Sequence, residues 1–379
     1  MTARRRAAVV GIGAYPFSKN SGASEWRMGA LASLAALADA GLRPADVDGM
    51  FRSTMEYTPE TAMARALGVP NLRAFGAVDY GGGGIVPVVA HAAQAVESGL
   101  ADVVLTWRAR LRKSGPRPWM ARGSGGTSDQ QHYERVFGVA RPVDSTALLT
   151  RIWADRYGWQ PEDLGRIAIT VREHAKRNPK AMMRKDLDLD EYLRSRMIAD
   201  PLRLYDCCLE SDGAVALVIT TAERARDLPS VPAYITAYAM GTGPDSYNIS
   251  QWYSDPLGRT QGTYAGAELW KRTDLTPRDI DVVQWYDAFT PEVAISFEEY
   301  QFCGEGEVMA MLAAGEHPPY NTAGGCLSEA YLHGINLFSE AVRQIRGTST
   351  DQVPDARHAL VSSGNTTPTG AIIFSSEAA

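Results

Sequence analysis

A six-residue pattern occurs twice in this chain. Arg43-Pro-Ala-Asp-Val-Asp48 and Thr276-Pro-Arg-Asp-Ile-Asp281 each stand directly before a short apolar run. Each is followed by a glycine-rich turn that opens a longer segment, Gly81–Gly84 in the first case and Gly324-Gly325 in the second. Each of those segments leads into another strand-like run. Self-similarity of this kind predicts an internal duplication of about 150 residues per copy. The 379 residues, 45% of them hydrophobic, hold enough apolar surface for two cores. Two similar α/β halves would bring corresponding strand ends, and the glycine turns beside them, to one centre.

Periodicity fills in the elements. Strands are expected at 7–12, 49–51, 74–78 and 101–106, with helices at 25–40, 58–67 and 85–97 between them, an alternation that implies a sheet with helices on its faces. The rhythm stops over about 108–200, which reads as an inserted cap or loop region shaping a pocket. It resumes with strands at 214–220, 231–239, 280–285, 359–363 and 371–375. Helices are expected at 263–273 and 291–302, and from the Gly324-Gly325 turn to Gly347. The expected division is an N-terminal half, 1–229, carrying the insertion, and a C-terminal half, 230–379.

The first glycine turn is chemically pointed. A buried strand at 74–78 runs into Asp79-Tyr80 and four glycines, then a helix beginning at Ile85. Backbone N–H groups converge there and the helix dipole favours negative charge. A nucleophile would be well placed at such a junction, but only glycine is present.

Bulk properties remove some classes of function. A net charge of −6 argues against a general nucleic-acid binder. Arg108, Arg110, Arg112, Lys113, Arg117 and Arg122 form a local basic stretch, read as a solvated loop or as a loop contacting phosphate or a partner. The four cysteines, Cys207, Cys208, Cys303 and Cys326, contain no CxxC pair. No metal site is expected, and a reducing cytoplasm is. The start of the chain imitates a signal peptide, but Gly11, Gly13 and Pro16 break its apolar run, so a first strand is the better reading. No run approaches the roughly 20 apolar residues of a membrane span.

Several motifs carry a resemblance along nearly the whole chain: Ala101-Asp-Val-Val-Leu105, Asp206-Cys-Cys-Leu-Glu-Ser-Asp-Gly-Ala214, Tyr286-Asp-Ala-Phe-Thr-Pro291 and Asn321-Thr-Ala-Gly-Gly325. Together they resemble the thiolase superfamily, in its sterol-carrier-type, thiolase-like branch. The resemblance implies two βαβαβαββ-type halves in a five-layered α-β-α-β-α arrangement. It also implies departures at the site. The family's nucleophilic Cys aligns with Gly82, or with Gly81 if the register slips. The leading polar residue of its Asn/His-Glu/Asp-Ala-Phe motif becomes Tyr286. The His of its Gly-His-Pro motif becomes Tyr331, and its second Cys becomes Ser362.

Without the thiol no acyl-enzyme can form, so thiolytic cleavage is excluded. Two phenols stand where two polar catalysts stood, which suits acid–base chemistry. The pattern resembles the steroid side-chain-cleaving aldolases of this superfamily. It implies retro-aldol cleavage of a β-hydroxyacyl-CoA thioester to a ring ketone and a short acyl-CoA such as propionyl-CoA. Tyr286 and Tyr331 would be the acid/base pair, with Tyr331 at the start of a helix whose positive end favours a phenolate. Gly81, Gly82 and Gly83 would supply enolate-stabilising N–H groups and room for substrate. Asp287, Asn321 and His333 are further substrate-binding candidates, though each also fits a structural role, and Asp79 and Tyr80 are expected to tune the pocket. Cys326 is expected to be a small buried thiol. No cofactor is expected beyond the CoA of the substrate. By resemblance the chain would form a homodimer and join a zinc-ribbon/OB-fold partner protein associated with a hydratase, with 101–106 taken as an exposed contact strand. Two alternatives stay open: a non-catalytic acyl-CoA- or lipid-binding subunit, and an acyl-CoA acyltransferase.

Overall fold

A computed structural model describes residues 6–115, 129–244, 249 and 254–378. In chain order its strands are β1 (Ala7–Ser18), β2 (Gly49–Ser53), β3 (Ala74–Val78), β4 (Val103–Leu111), β5 (Met197–Ala199), β6 (Leu202–Arg203), β7 (Asp212–Thr221), β8 (Ala233–Gly241), β9 (Val282–Gln284), β10 (His358–Ser362) and β11 (Thr369–Ser375). The helices are α1 (Glu25–Asp39), α2 (Glu60–Leu67), α3 (Ile85–Glu97), α4 (Asp129–Val136), α5 (Pro142–Tyr157), α6 (Pro161–Arg177), α7 (Leu189–Arg194), α8 (Ala222–Ala225), α9 (Gly262–Trp270), α10 (Thr290–Glu299), α11 (Val308–Ala314) and α12 (Ile335–Arg346).

Nine strands form one mixed sheet in the order β3-β2-β4-β7-β1-β8-β11-β10-β9. Only two residue pairs, Ala8 with Tyr234 and Val9 with Ala233, join β1 to β8. The sheet therefore divides there into a β3-β2-β4-β7-β1 half and a β8-β11-β10-β9 half. An isolated parallel bridge from Val283 to Tyr320 adds to the second half the counterpart of β3. The repeated sequence pattern does the same work twice. Asp48 accepts hydrogen bonds from the N–H groups of Asp102 and Val103 at the start of β4. Asp281 accepts from Arg357 and His358 at the start of β10. In each copy the preceding Pro opens a short 3₁₀ turn closed by an Asp side chain, Asp46 on the N–H of Arg43 and Asp279 on that of Thr276.

The helices sort by their faces. Helix α3 is apolar almost all round, with Ile85, Val86, Val88, Val89, Ala92, Ala93 and Val96 buried. Such a helix needs cover on every side, and it lies between the two half-sheets, touching β2 and β4 on one and β8 and β11 on the other. Helix α12 shares that central layer and packs on strands of both halves. Helix α1 covers the outer face of the first half and α9 that of the second. The result is the expected five layers.

Three sequence expectations change. Residues 101–106 are not an exposed contact strand, because β4 is hydrogen-bonded on both sides, to β2 and to β7. The open edge is β3, which pairs only with β2 among the described residues. The basic stretch is not a loop from Arg108 onward, because β4 continues to Leu111 and buries Arg108 and Arg110. Arg117 and Arg122 lie outside the described residues. Gly324-to-Gly347 is not one helix. A π-turn, Gly325–Glu329, is followed by an irregular link that is extended at Ala330 and left-handed at His333 and Gly334, and α12 begins only at Ile335.

Candidate functional site

The first glycine turn is met by the second half. The segment after β10 fastens the first-half turn: Ser363 Oγ donates to the Gly83 carbonyl at 2.9 Å, and the Gly364 N–H donates to the Gly82 carbonyl at 3.1 Å. Tyr80, before the glycines, takes a left-handed backbone (φ 81°) that turns the chain into the helix. Asp79 holds it from below by accepting from Thr54 Oγ1 at 2.7 Å.

Tyr286 follows β9 and is held by the Ser362 hydroxyl, which accepts its N–H at 3.1 Å. Tyr331 lies in the link between the π-turn and α12, its N–H donated to Ser211 Oγ at 3.0 Å. The two phenol oxygens are 2.6 Å apart. Tyr286 also explains the glycine at position 82. A Cβ placed there would stand 2.1 Å from the Tyr286 hydroxyl oxygen. The space that a nucleophilic side chain would use is filled by the phenol, so the expectation that Gly82 leaves room for substrate is corrected. Gly334, with φ 82°, is likewise pressed against the Tyr286 ring, where a Cβ would stand 2.7 Å from Cδ2.

Burial first, then the neighbouring Tyr331, pushes the Tyr286 phenol well above its ordinary range. Burial does the same to Tyr331, with Cys208 adding to it and the Arg112 guanidinium opposing. Arg112 sits over the Tyr331 ring at 4.8 Å from its centre. Both phenols therefore hold their protons at neutral pH. The expectation of a helix end favouring a Tyr331 phenolate is not met, because α12 begins only at Ile335, a full turn beyond the residue.

His333 is in the chamber. Its Nδ1 accepts from Arg108 Nε at 3.1 Å. A guanidinium can only donate, so Nδ1 must present its lone pair and the ring proton resides on Nε2. Burial, then the charges of Arg108, Arg112 and Arg110, holds the imidazole well below its ordinary pKa. Arg108 is itself fully buried. It donates to the Met55 carbonyl at 2.6 Å and pairs with Glu56 at 3.4 Å.

Asp287 and Asn321 do not line the chamber. Asp287 accepts from the N–H groups of Cys326 and Leu327 and so tethers the π-turn, and its burial raises its carboxyl to about 7. Asn321 clamps the backbone of Trp285, accepting its N–H at 2.7 Å and donating to its carbonyl at 3.0 Å. Both set the position of Tyr286 from behind. Gly83 has its N–H committed to the Tyr80 carbonyl at 2.9 Å, so it is a wall of the chamber rather than an open donor. Cys326 is a buried thiol, as expected.

The chamber has a volume of about 470 Å³ and is lined by Gly81, Gly82, Gly83, Tyr286, Tyr331 and His333. A second cavity of about 610 Å³ shares Arg112, Arg141 and Cys208 with it and adds Lys19, Lys113, Arg172 and Arg196. Sequence reading missed Glu292, which lines the chamber from the first turn of α10 and looks in sequence like an ordinary acidic helix start. Among the described residues no cluster of His, Cys, Asp and Glu converges on a metal position, and no helix is long and apolar enough to cross a membrane.

Duplicated half-sheets around a shared helix layer, with the first glycine turn and two phenols at one chamber, define a thiolase-type fold in which a phenol fills the side-chain space at Gly82. Comparison with known proteins gives the family. Residues 241–375 match the family described as thiolase C-terminal domain-like. The 17-hydroxy-3-oxo-4-pregnene-20-carboxyl-CoA lyase of Mycobacterium tuberculosis is 43% identical over 381 residues, covering 97% of this chain and 99% of that protein. The steroid side-chain-cleaving aldolase of Thermomonospora curvata is 41% identical over 383 residues, covering 98% of each. A solved Ltp2-ChsH2(DUF35) aldolase superposes with a TM-score of 0.94 at 41% identity, covering 98% of this chain and 97% of that one. The chain belongs to the thiolase superfamily, in the group of the steroid side-chain-cleaving aldolases.

Proposed function

We propose that the protein is a carbon–carbon lyase that cleaves a β-hydroxyacyl-CoA thioester on a steroid side chain by a retro-aldol reaction. The observation that carries this reading is the 2.6 Å contact between the Tyr286 and Tyr331 hydroxyls, closed over Gly82 at the floor of the chamber. It supports proton transfer without a nucleophile. The names of the two relatives agree with it.

In this reading the β-hydroxyl of the substrate lies against the phenol pair, which relays its proton to a base of the chamber: as one phenol accepts the proton, the pair hands a phenol proton onward. The electron pair of the O–H bond becomes the π bond of the ketone, and the Cα–Cβ pair moves onto Cα and the thioester oxygen as an enolate. A proton returned to Cα completes the short acyl-CoA. The His333 Nε2–H, kept in place by Arg108, is the donor proposed for the enolate oxygen, neutral and therefore at little cost in desolvation. Gly81 and Gly82 contribute the backbone wall. The cationic cavity beside the chamber suits the phosphates of CoA. The chain would work as a homodimer through the β3 edge, joined to a zinc-ribbon/OB-fold protein associated with a hydratase. The solved relative is itself named for a pairing of Ltp2 with ChsH2(DUF35). The four free cysteines fit a reducing cytoplasm.

The test is incubation with a β-hydroxyacyl-CoA steroid, with and without the partner, following release of the ketone and the short acyl-CoA. Tyr286→Phe and Tyr331→Phe should each lower kcat by roughly 10²–10⁴-fold, the usual worth of a general acid or base, while circular dichroism stays native. Full turnover in both variants would overturn the assignment.

A further inference from the structure

The phenol pair is a poor final resting place for a proton. Both tyrosines already carry theirs, and His333 has given its lone pair to Arg108. A retro-aldol reaction needs a group that holds the hydroxyl proton while the carbon–carbon bond breaks.

Glu292 is placed to be that group. It is the third residue of α10, only 3% exposed, and lines the same chamber as Tyr286, Tyr331 and His333. Backbone N–H groups of Ala288 and Phe289 support its carboxyl. Its Oε2 has no hydrogen-bond partner among the described residues. A buried polar atom left unpaired is destabilising and calls for an explanation, a catalytic role being one.

We propose that Glu292 is the proton-holding group of the chamber, exchanging its proton with the Tyr286–Tyr331 pair during cleavage; this rests on the aldolase reading above. In the active form Glu292 is a carboxylate. The substrate hydroxyl gives its proton to the phenol pair, and the pair passes a phenol proton to Glu292. The hydroxyl electron pair forms the ketone and the Cα–Cβ pair forms the enolate. Glu292 then returns the proton through the same pair to Cα, so that no proton is consumed and the carboxylate is restored.

Its surroundings suit this exchange. Burial first, then the charge of Asp287, raises the Glu292 carboxyl to about 8, against the opposing N–H groups of Ala288 and Phe289. The other groups facing it are Tyr286 and Cys208, with Tyr331, His333, Arg112 and Arg141 across the chamber. An acid that titrates near the working pH has both of its forms at hand.

The experiment compares the full-length wild type with Glu292→Gln and Glu292→Asp, using the steroid thioester and, separately, infrared difference spectra of the carboxyl band. Because the carboxylate is the active form, wild-type kcat/KM should rise about tenfold per pH unit up to about 8 and then level. In Glu292→Gln kcat should fall on the order of 10²-fold and that rise should disappear, while Glu292→Asp keeps a rise at a displaced pH. In the infrared difference spectra the wild type should show one protonated-carboxyl band, lost between about pH 6 and 9, that Glu292→Gln lacks, while the band of Asp287 titrates in both proteins. A rise retained in Glu292→Gln, or no such titrating band, would overturn the proposal. A wild type that cleaves no β-hydroxyacyl-CoA would sink the aldolase reading instead, and the infrared titration alone would then judge Glu292. If Glu292→Gln does not fold, the Glu292→Asp shift of both readouts decides.

Discussion

Gly82 and Tyr286 compete for one volume. By the family resemblance the nucleophile's Cβ belongs at position 82, or 81 if the register slips, and at 82 it would meet the Tyr286 hydroxyl at 2.1 Å. The loss of the thiol and the gain of the phenol are thus a single packing decision. Gly82→Cys should not create a thiolase. It should displace Tyr286, abolish lyase turnover, and cost about 1–3 kcal/mol of stability, as overpacked cores do. Thermal melts together with thiolysis and lyase assays check this, and thiolytic activity in the variant would refute the role given to Tyr286. Both tyrosines were legible through the family resemblance, Tyr286 from its Asp-Ala-Phe neighbours and Tyr331 from its spacing of ten residues after Asn321, although Ala330 and Leu332 replace the motif's Gly and Pro. Glu292 was not, since only the fold reveals that its first-turn position opens into the chamber.

Strand β4 shows why elements bearing charge are misread. Arg108 and Arg110 made residues from 108 onward look like the start of a solvated loop. In the fold they are strand residues whose charges are met by Glu56 and Glu25, partners far away in sequence. Local pattern carries no record of such partners. Removing one of them leaves the other charge buried alone, which typically costs 3–5 kcal/mol. Arg108→Met should therefore lower the unfolding free energy by about that amount, measured by denaturant titration, and a change within experimental error would show that Glu56 is neutral in the folded protein. The segment after Gly324 is the second such case. Its apolar spacing reads as one helix, but Asp287 captures the N–H groups of Cys326 and Leu327, and the chain leaves the helix before Tyr331. That break is what lets the Tyr331 side chain reach Tyr286.

At the scale of the whole molecule, the two half-sheets share the α3–α12 layer, and the first half ends in an open edge at β3. Phe75 on that edge is 64% exposed. Open edges carrying apolar side chains recruit other strands. If two copies pair there, Phe75→Lys should convert a dimer to a monomer in sedimentation velocity, and a dimer that persists would place the contact elsewhere. The duplication and the α/β class follow from sequence, because each rests on a local period or a repeated pattern, and the five layers and the phenol pair were implied by the family resemblance. Tertiary structure alone decided which strand is the edge, that the basic stretch begins inside the sheet, that His333 is a neutral Nε2–H donor, and that Glu292 joins the chamber. Each of those depends on groups that are distant in sequence and meet only when the two halves close on one another, where burial sets their protonation.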